Sequence, residues 1–333
     1  MHTSYPWQTA QWQQIIRSWQ QQRLAHAQLF AGHTGMGKAQ FAQALAELVL
    51  CESPTADFQS CGQCKSCLLL QAGTHPDLTC VEPAEKGKQI TIGQIRELIE
   101  FCSLTATYGR YQVAIINPAE AMNRNAANSL LKLLEEPPDN TLLILVSHQP
   151  MSLLATIRSR CQRLDFNHID KAQAMSWLQQ ELCTEYDISL LLNLTHHAPL
   201  AVKTLIDNAD IQKRGALFES LVQLPTGKYD PVSIAEEWLQ QEPHQIVVWM
   251  SLWTMDLIRY SMTQQTQYIV NRDNVNAIQH IAQQFPPQQL FKLLDLQTEA
   301  YRLLNSTANI KPQGLLESLA IAWAELGMQR RKS

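Results

Sequence analysis

The chain has 333 residues, 45% of them hydrophobic and 17% charged, with a net charge of −4 and an isoelectric point near 6.2. That length predicts more than one domain, and that apolar content excludes a disordered chain. The acidic balance excludes a whole-molecule basic field for nucleic acid, so any such contact must come from a local patch or a partner.

The opening residues MHTSYPWQTAQWQQ lack the charged-then-apolar build of a secretory signal. No apolar run approaches the ~20 residues of a membrane span. The expectation is a soluble cytoplasmic protein, in which the eight cysteines are reduced thiols or metal ligands rather than disulfides.

Along the chain, Gln28–Ala31 reads as a short buried strand that ends at a glycine loop. Lys38–Cys51 follows with helical spacing of Phe41, Leu45 and Leu48. Leu78–Val81, Val113–Ile116 and Leu142–Val146 are apolar runs of strand type. Helical patterns over Gly93–Leu104 and Asn125–Glu136 lie between them, the second stopped by Pro137-Pro138. Alternating strands and helices predict a parallel sheet with helices on both faces. After Phe166 the strand patterns vanish, and amphipathic helices such as Ile246–Met262 and Leu315–Leu326 continue to the end, with Pro225–Pro231 as a loop. The division expected is an α/β domain over 1–166, a small helical unit over 167–208 and a larger one over 209–333. Glutamines are many but spread through the helical patterns, and Arg330-Arg331-Lys332 reads as a solvated tail.

The stretch GHTGMGKAQ completes the Gly-x4-Gly-Lys spacing of a phosphate loop at Gly32, Gly37 and Lys38, with Gly35 between them. Such a loop aims backbone N–H groups and a helix N-terminus at a phosphate, while the lysine reaches the terminal oxygens. The next residue should carry a hydroxyl to ligate Mg²⁺, and here it is Ala39. The acidic half of a magnesium site should follow another strand, and VAII is followed by Asn117-Pro118, with Glu120 expected to point elsewhere. Both halves are impaired. An anion cradle can survive this, but magnesium-dependent hydrolysis should not.

Cys51, Cys61, Cys64 and Cys67 form a C-x9-C-x2-C-x2-C arrangement over residues 51–67, with Cys51 at the end of the helix that leaves the glycine loop. Four thiolates suit a closed structural Zn²⁺, since each C-x2-C turn brings two sulfurs to one side of an ion. An iron–sulfur cluster is the rival ligand and free thiols the bland alternative. Cys80, Cys102, Cys161 and Cys183 lie in apolar or element-end contexts and read as structural. Near the expected last strand, TIRSRCQRLDF holds Arg158, Arg160 and Arg163. A phosphate loop that cannot hydrolyse has no need of its own arginine, whereas an arginine can act in trans on a neighbour's nucleotide. The plain alternative is a solvated or ion-paired basic patch.

Together these motifs resemble one family, the delta-prime subunits of the bacterial DNA polymerase III clamp loader within the AAA+ proteins. The pieces that carry the resemblance are the cysteine module with its continuation LLLQAGTHPDL, the segment EKGKQITIGQIREL, the helix AANSLLKLLEEPP and the box Ser159-Arg160-Cys161. In the helical half, NSTANIKPQGLLESL is the most recognisable stretch. The resemblance implies an AAA+ domain with a zinc insertion, a helical lid and an all-α collar that assembles into a ring. It implies motor subunits (gamma or tau) and a delta subunit as partners, and a sliding clamp placed on primed DNA. Arg160 would then be the trans-acting finger, ATP would be held by the neighbour, and binding at Gly32, Gly35, Gly37 and Lys38 would be weak or absent. Leu200, near where family ATPases carry a lid arginine, points the same way. Two other classes stand beside this one: a self-sufficient P-loop ATPase that tolerates Ala39, and a zinc-containing DNA-binding module.

Overall fold

The computed structural model describes residues 5–85, 87–108, 111–182, 186–305 and 310–330, with side chains through 327. The chain divides into two units, Met1–Thr184 with Thr195–Ala201, and Glu185–Leu194 with Val202–Ser333.

The first unit is built on five parallel strands, β1 (Ala27–Ala31), β2 (Leu78–Val81), β3 (Gln112–Ile116), β4 (Thr141–Ser147) and β5 (Gln162–Asp165). Their spatial order is β2-β3-β4-β1-β5. Every residue of β1, β3 and β4 is buried, which explains why these strands read as continuous apolar runs without alternation. The edge strands β2 and β5 are only partly covered. Alternate residues still face opposite ways. Phe30, Val113, Ile115, Ile144 and Val146 pack on one face with Phe41 and Leu45. Leu29, Ala114, Ile116, Leu143 and Leu145 pack on the other with Ile95, Leu98, Leu130 and Leu134.

The helices of this unit are α1 (Thr9–Gln20), α2 (Lys38–Leu50), α3 (Lys65–Gln71), α4 (Ile92–Ser103), α5 (Arg124–Glu135), the single turn α6 (Ala155–Arg158) and α7 (Lys171–Glu181). Their limits follow local chemistry. Thr91 and Gln94 form a capping box at the start of α4, and Asn123 accepts from the Ala126 N–H at the start of α5. Helix α5 stops two residues before Pro137-Pro138. Helix α1 falls in a stretch assigned no element from sequence. Its glutamines mask a regular apolar spacing of Trp12, Ile15, Ile16 and Trp19, and Ile15 and Trp12 pack into the α2 side of the core.

Beyond Asp165 the described residues hold no strand, as the sequence predicted. Helices α8 (Ile188–Leu194), α9 (Pro199–Asp207), α10 (Asp210–Gln223), α11 (Pro231–Trp238), α12 (Pro243–Thr263), α13 (Val275–Ala282), α14 (Pro287–Leu304) and α15 (Pro312–Arg330) complete the chain. The second unit has its own core, in which Trp238, Trp249, Trp253, Phe285 and Trp323 are buried. A polar network runs through it. The fully buried Asp256 carboxylate accepts from the Val270 and Asn271 N–H groups, the Asn271 side chain and Arg259. Arg214 bonds Asn271 and Asp273 and lies 5.1 Å over the Trp253 ring. Among the described residues no helix is long and apolar enough to cross a membrane.

Candidate functional site

In a parallel sheet, the crevice outside the carboxyl ends of the strands is where ligands bind. The glycine loop leaves β1 at that end, and α2 begins at Lys38. Gly35 and Gly37 both have φ of +82°, a left-handed conformation that side chains strain to adopt. A Cβ at Gly35 would lie 2.6 Å from the Ala201 backbone nitrogen, and one at Gly37 would lie 2.7 Å from the Tyr5 ring. The loop therefore needs glycine because other backbone and an aromatic ring press against it.

Its carbonyl oxygens are taken up by this same chain. The Lys38 Nζ donates to Gly32 O at 2.6 Å and His33 O at 2.7 Å. Trp7 Nε1 donates to Met36 O, and Gln8 Nε2 donates to Met36 O and Gly37 O. The Leu200 N–H donates to Gly35 O at 3.1 Å. Tyr5 stacks on Trp7 with centroids 4.7 Å apart, and both meet the edge of Trp177 from α7. Lys38 is 2% exposed, and burial pulls its ammonium pKa down to about 8 against an opposing pull from Glu120. No sequence pattern signals that residues 5–8 pack on the loop, because that contact spans some thirty positions.

The two positions where the sequence places the magnesium ligands carry Ala39 and Asn117. Ala39 offers no oxygen, and the Asn117 side-chain N–H donates to Glu82 at 3.3 Å. The expectation for Glu120 needs correction. Its carboxylate does not turn away from the site: it accepts the His148 and Gln149 N–H groups just past β4, within electrostatic reach of Lys38. Burial, then Lys38, holds the His148 imidazole below its ordinary pKa.

The cysteine module stands at the C-terminal end of α2. The sulfurs of Cys51, Cys61, Cys64 and Cys67 all lie within 4.8 Å of one another. The Cys51–Cys64 pair is 4.0 Å apart and the Cys61–Cys67 pair 3.9 Å. Four thiolates at about 2.3 Å from one ion would stand at nearly that mutual spacing, so the four can hold a metal ion. Their backbone supports ionised sulfur: the Cys61, Cys64 and Cys67 N–H groups donate to Cys51, Cys61 and Cys64 sulfurs respectively. Hydrogen bonds from the Gln63 and then the Cys64 N–H lower the Cys61 thiol to about 6, while burial pushes Cys51 and Cys67 up. Helix α3 starts within the module, with Cys64 as its N-cap. Ser66 and His75 then tie it to the sheet. The Ser66 hydroxyl donates to Leu50 O and meets His75 Nε2 at 2.7 Å, and His75 Nδ1 accepts the Asp77 N–H. Asp77, 1% exposed, accepts the Thr107 and Tyr108 N–H groups.

The other cysteines divide. Cys102 is fully buried and Cys161 half-buried against the core, and burial pushes both thiols up to about 12. Cys80 departs from its structural reading, since it is exposed on the edge strand β2. Cys183 and the Arg331-Lys332 tail lie outside the described residues.

From the end of α6 into β5, the three arginines have different surroundings. Arg163 pairs with Asp165 at 2.6 Å, and an Arg158 nitrogen lies 2.8 Å from the Met151 sulfur. Arg160 stands exposed on the turn, bonded to Thr156 O at 3.1 Å and to the Glu135 carboxylate at 2.7 Å. Ser159 Oγ donates to the same Thr156 oxygen, and the Cys161 thiol packs inward. The Ser-Arg-Cys box thus builds a turn with the arginine outward. Glu135 had no role in the sequence reading, because it lies at the end of a helix remote in sequence.

The first unit is thus a parallel five-stranded sheet with helices on its faces and a glycine loop that leaves an interior strand into a helix. A family model described as "DNA polymerase III, delta subunit" matches residues 7–170, and one for the C-terminal part of that subunit matches 208–325. The DNA polymerase III subunit delta' of Pseudomonas aeruginosa is 36% identical over 97% of this chain and 98% of its own. Its counterpart in Escherichia coli is 31% identical over 95% of this chain and 94% of its own. The DNA polymerase III subunit tau of Bacillus subtilis is 26% identical over 86% of this chain and 55% of its own. The chain belongs to the delta-prime subunit family of DNA polymerase III, a replication family of clamp-loader components.

Proposed function

We propose that this chain is the non-hydrolysing stator subunit of a clamp loader, and that Arg160 completes the active site of an adjacent motor subunit of the gamma or tau type. The observation that carries this reading is the contrast between two parts of one domain. The chain's own phosphate loop lacks the hydroxyl at Ala39 and the acid at Asn117 that a magnesium site of this kind uses. The Ser159-Arg160-Cys161 turn is intact and holds its guanidinium at the surface.

In this reading ATP and magnesium belong to the neighbour. The guanidinium of Arg160 stabilises the charge that builds on the transferring phosphoryl group, while the neighbour's own residues bind metal and orient water. Residues Gly32, Gly35, Gly37 and Lys38 keep the shape of a cradle with weak or no nucleotide. The four cysteines hold a structural Zn²⁺ that fixes the insertion 51–67 to the end of α2. Residues 167–208 act as the lid and 209–333 as the collar that joins the ring. Partners are the motor subunits and a delta subunit, and through the assembly the sliding clamp and primed DNA.

The test is steady-state ATP hydrolysis with magnesium. The isolated chain should show none above background. Arg160→Ala should fold normally and lower turnover of the reconstituted complex only in part, because one neighbouring site depends on it. An arginine finger contributes roughly 10³ to 10⁵ at its own site. Unchanged turnover and clamp loading with Arg160→Ala would remove it from the mechanism. Steady hydrolysis by the isolated chain would favour a self-sufficient ATPase, and tight salt-dependent DNA binding would favour a DNA-binding module.

A further inference from the structure

The Arg160 guanidinium is held by two acceptors of different kinds. Thr156 O belongs to the turn of α6 that carries the arginine, so it fixes one nitrogen relative to the local backbone. The second acceptor is Glu135 Oε1, on the last residue of α5, 2.7 Å from the other terminal nitrogen. A carboxylate at a helix C-terminus meets the negative end of the helix dipole, an unfavourable place unless a cation answers it. Glu135 cannot move away by extending the helix, because Pro137-Pro138 follow. The helix beneath it is anchored by Leu130, Leu133 and Leu134 in the core. Glu135 is therefore a fixed point presented to a long side chain whose only other acceptor among the described residues is Thr156 O in its own turn.

We infer that Glu135 is a positioning residue for Arg160: it holds the guanidinium by one edge so that the remaining N–H groups face a triphosphate carried by a neighbouring subunit. The inference rests on the reading that Arg160 acts in trans. A guanidinium has five N–H donors in a rigid plane, and the two acceptors engage its two terminal nitrogens, one bond each. Donors remain for phosphate oxygens while the carboxylate stays bound. Both partners are half-exposed, with side chains 36% and 50% accessible, so the pair adds little to fold stability and its effect falls on the orientation of the arginine.

The experiment uses the reconstituted complex with Arg160→Ala, Glu135→Ala, Glu135→Gln and the Arg160→Ala/Glu135→Ala double variant, with kcat and KM for ATP measured for each. Loss of an exposed pair corresponds to about a two- to five-fold drop at the affected site, so Glu135→Ala should reproduce about half to four-fifths of the loss caused by Arg160→Ala. The loss should fall on kcat with KM unchanged. Glu135→Gln keeps an acceptor oxygen and should retain more activity than Glu135→Ala. The double variant should be no slower than Arg160→Ala, since the carboxylate acts only through the arginine. If Arg160→Ala slows the complex but Glu135→Ala does not, or if their effects add, the positioning role is wrong and the trans arginine stands. If Glu135→Ala speeds hydrolysis, the carboxylate is a brake and the inference is overturned. If Arg160→Ala itself changes nothing, both fall together.

Discussion

Lys38 keeps the lysine position of a phosphate-loop motif and is almost fully buried there. Its ammonium donates to Gly32 O and His33 O within the loop. Its folded pKa of about 8 lies below the ordinary lysine value, so the folded state binds fewer protons than the unfolded state between the two. Stability from this group should therefore rise as pH increases from about 8 to 10.5, by on the order of 3 kcal/mol across the window. A neutral amine still has two N–H groups for the two carbonyls, so neutralisation does not break the contacts. Urea midpoints of the wild type and Lys38→Met, compared from pH 7 to 10.5, check this. The gap between the two proteins should widen in favour of the wild type as pH rises, and a constant gap would contradict it. The missing hydroxyl at Ala39 was legible in sequence because the motif assigns that position one atom and one role. The fate of Lys38 was not legible. Nor were the contacts of Trp7, Gln8 and Leu200 with the neighbouring loop carbonyls, which close only in the fold.

At the scale of elements, the apolar strand runs and proline stops located β1 to β4 and the helices α2, α4 and α5 to within a residue. Helix α1 was missed because glutamine dilutes its pattern, and α3 because cysteine spacing drew attention to the metal rather than to Cys64 as an N-cap. The segments that carried the family resemblance now have physical reasons. In QITIGQIREL, Ile90 pairs with the Met122 backbone and Thr91 caps α4, which joins α4 to the start of α5. In THPDL, His75 links Ser66 to the sheet edge and Asp77 holds the 107–108 turn. These contacts make the cysteine module part of the sheet's scaffold. Elemental analysis should accordingly find about one zinc per chain, and Cys64→Ser should lose it together with more than about 5 °C of melting temperature. Iron with a visible absorption band would identify a different centre.

The whole molecule divides into a unit built on the parallel sheet and a helical unit with its own core and polar network. The sequence distinguished strands from helices across that division. It did not reveal that residues 185–194 group with the helical unit while 195–201 group with the first, because chain order alone does not fix such an exchange. In the proposed function this chain supplies a cation to a triphosphate that another subunit holds. The most direct measurement is a structure of the complete complex with a non-hydrolysable ATP analogue, read at Arg160. The account predicts an Arg160 nitrogen at about 2.7–2.9 Å from a terminal phosphate oxygen of the adjacent subunit's nucleotide, with Glu135 still bound to the guanidinium and no magnesium–nucleotide on this chain's own loop. An Arg160 that faces solvent while magnesium and nucleotide occupy the Gly32–Lys38 loop would contradict it.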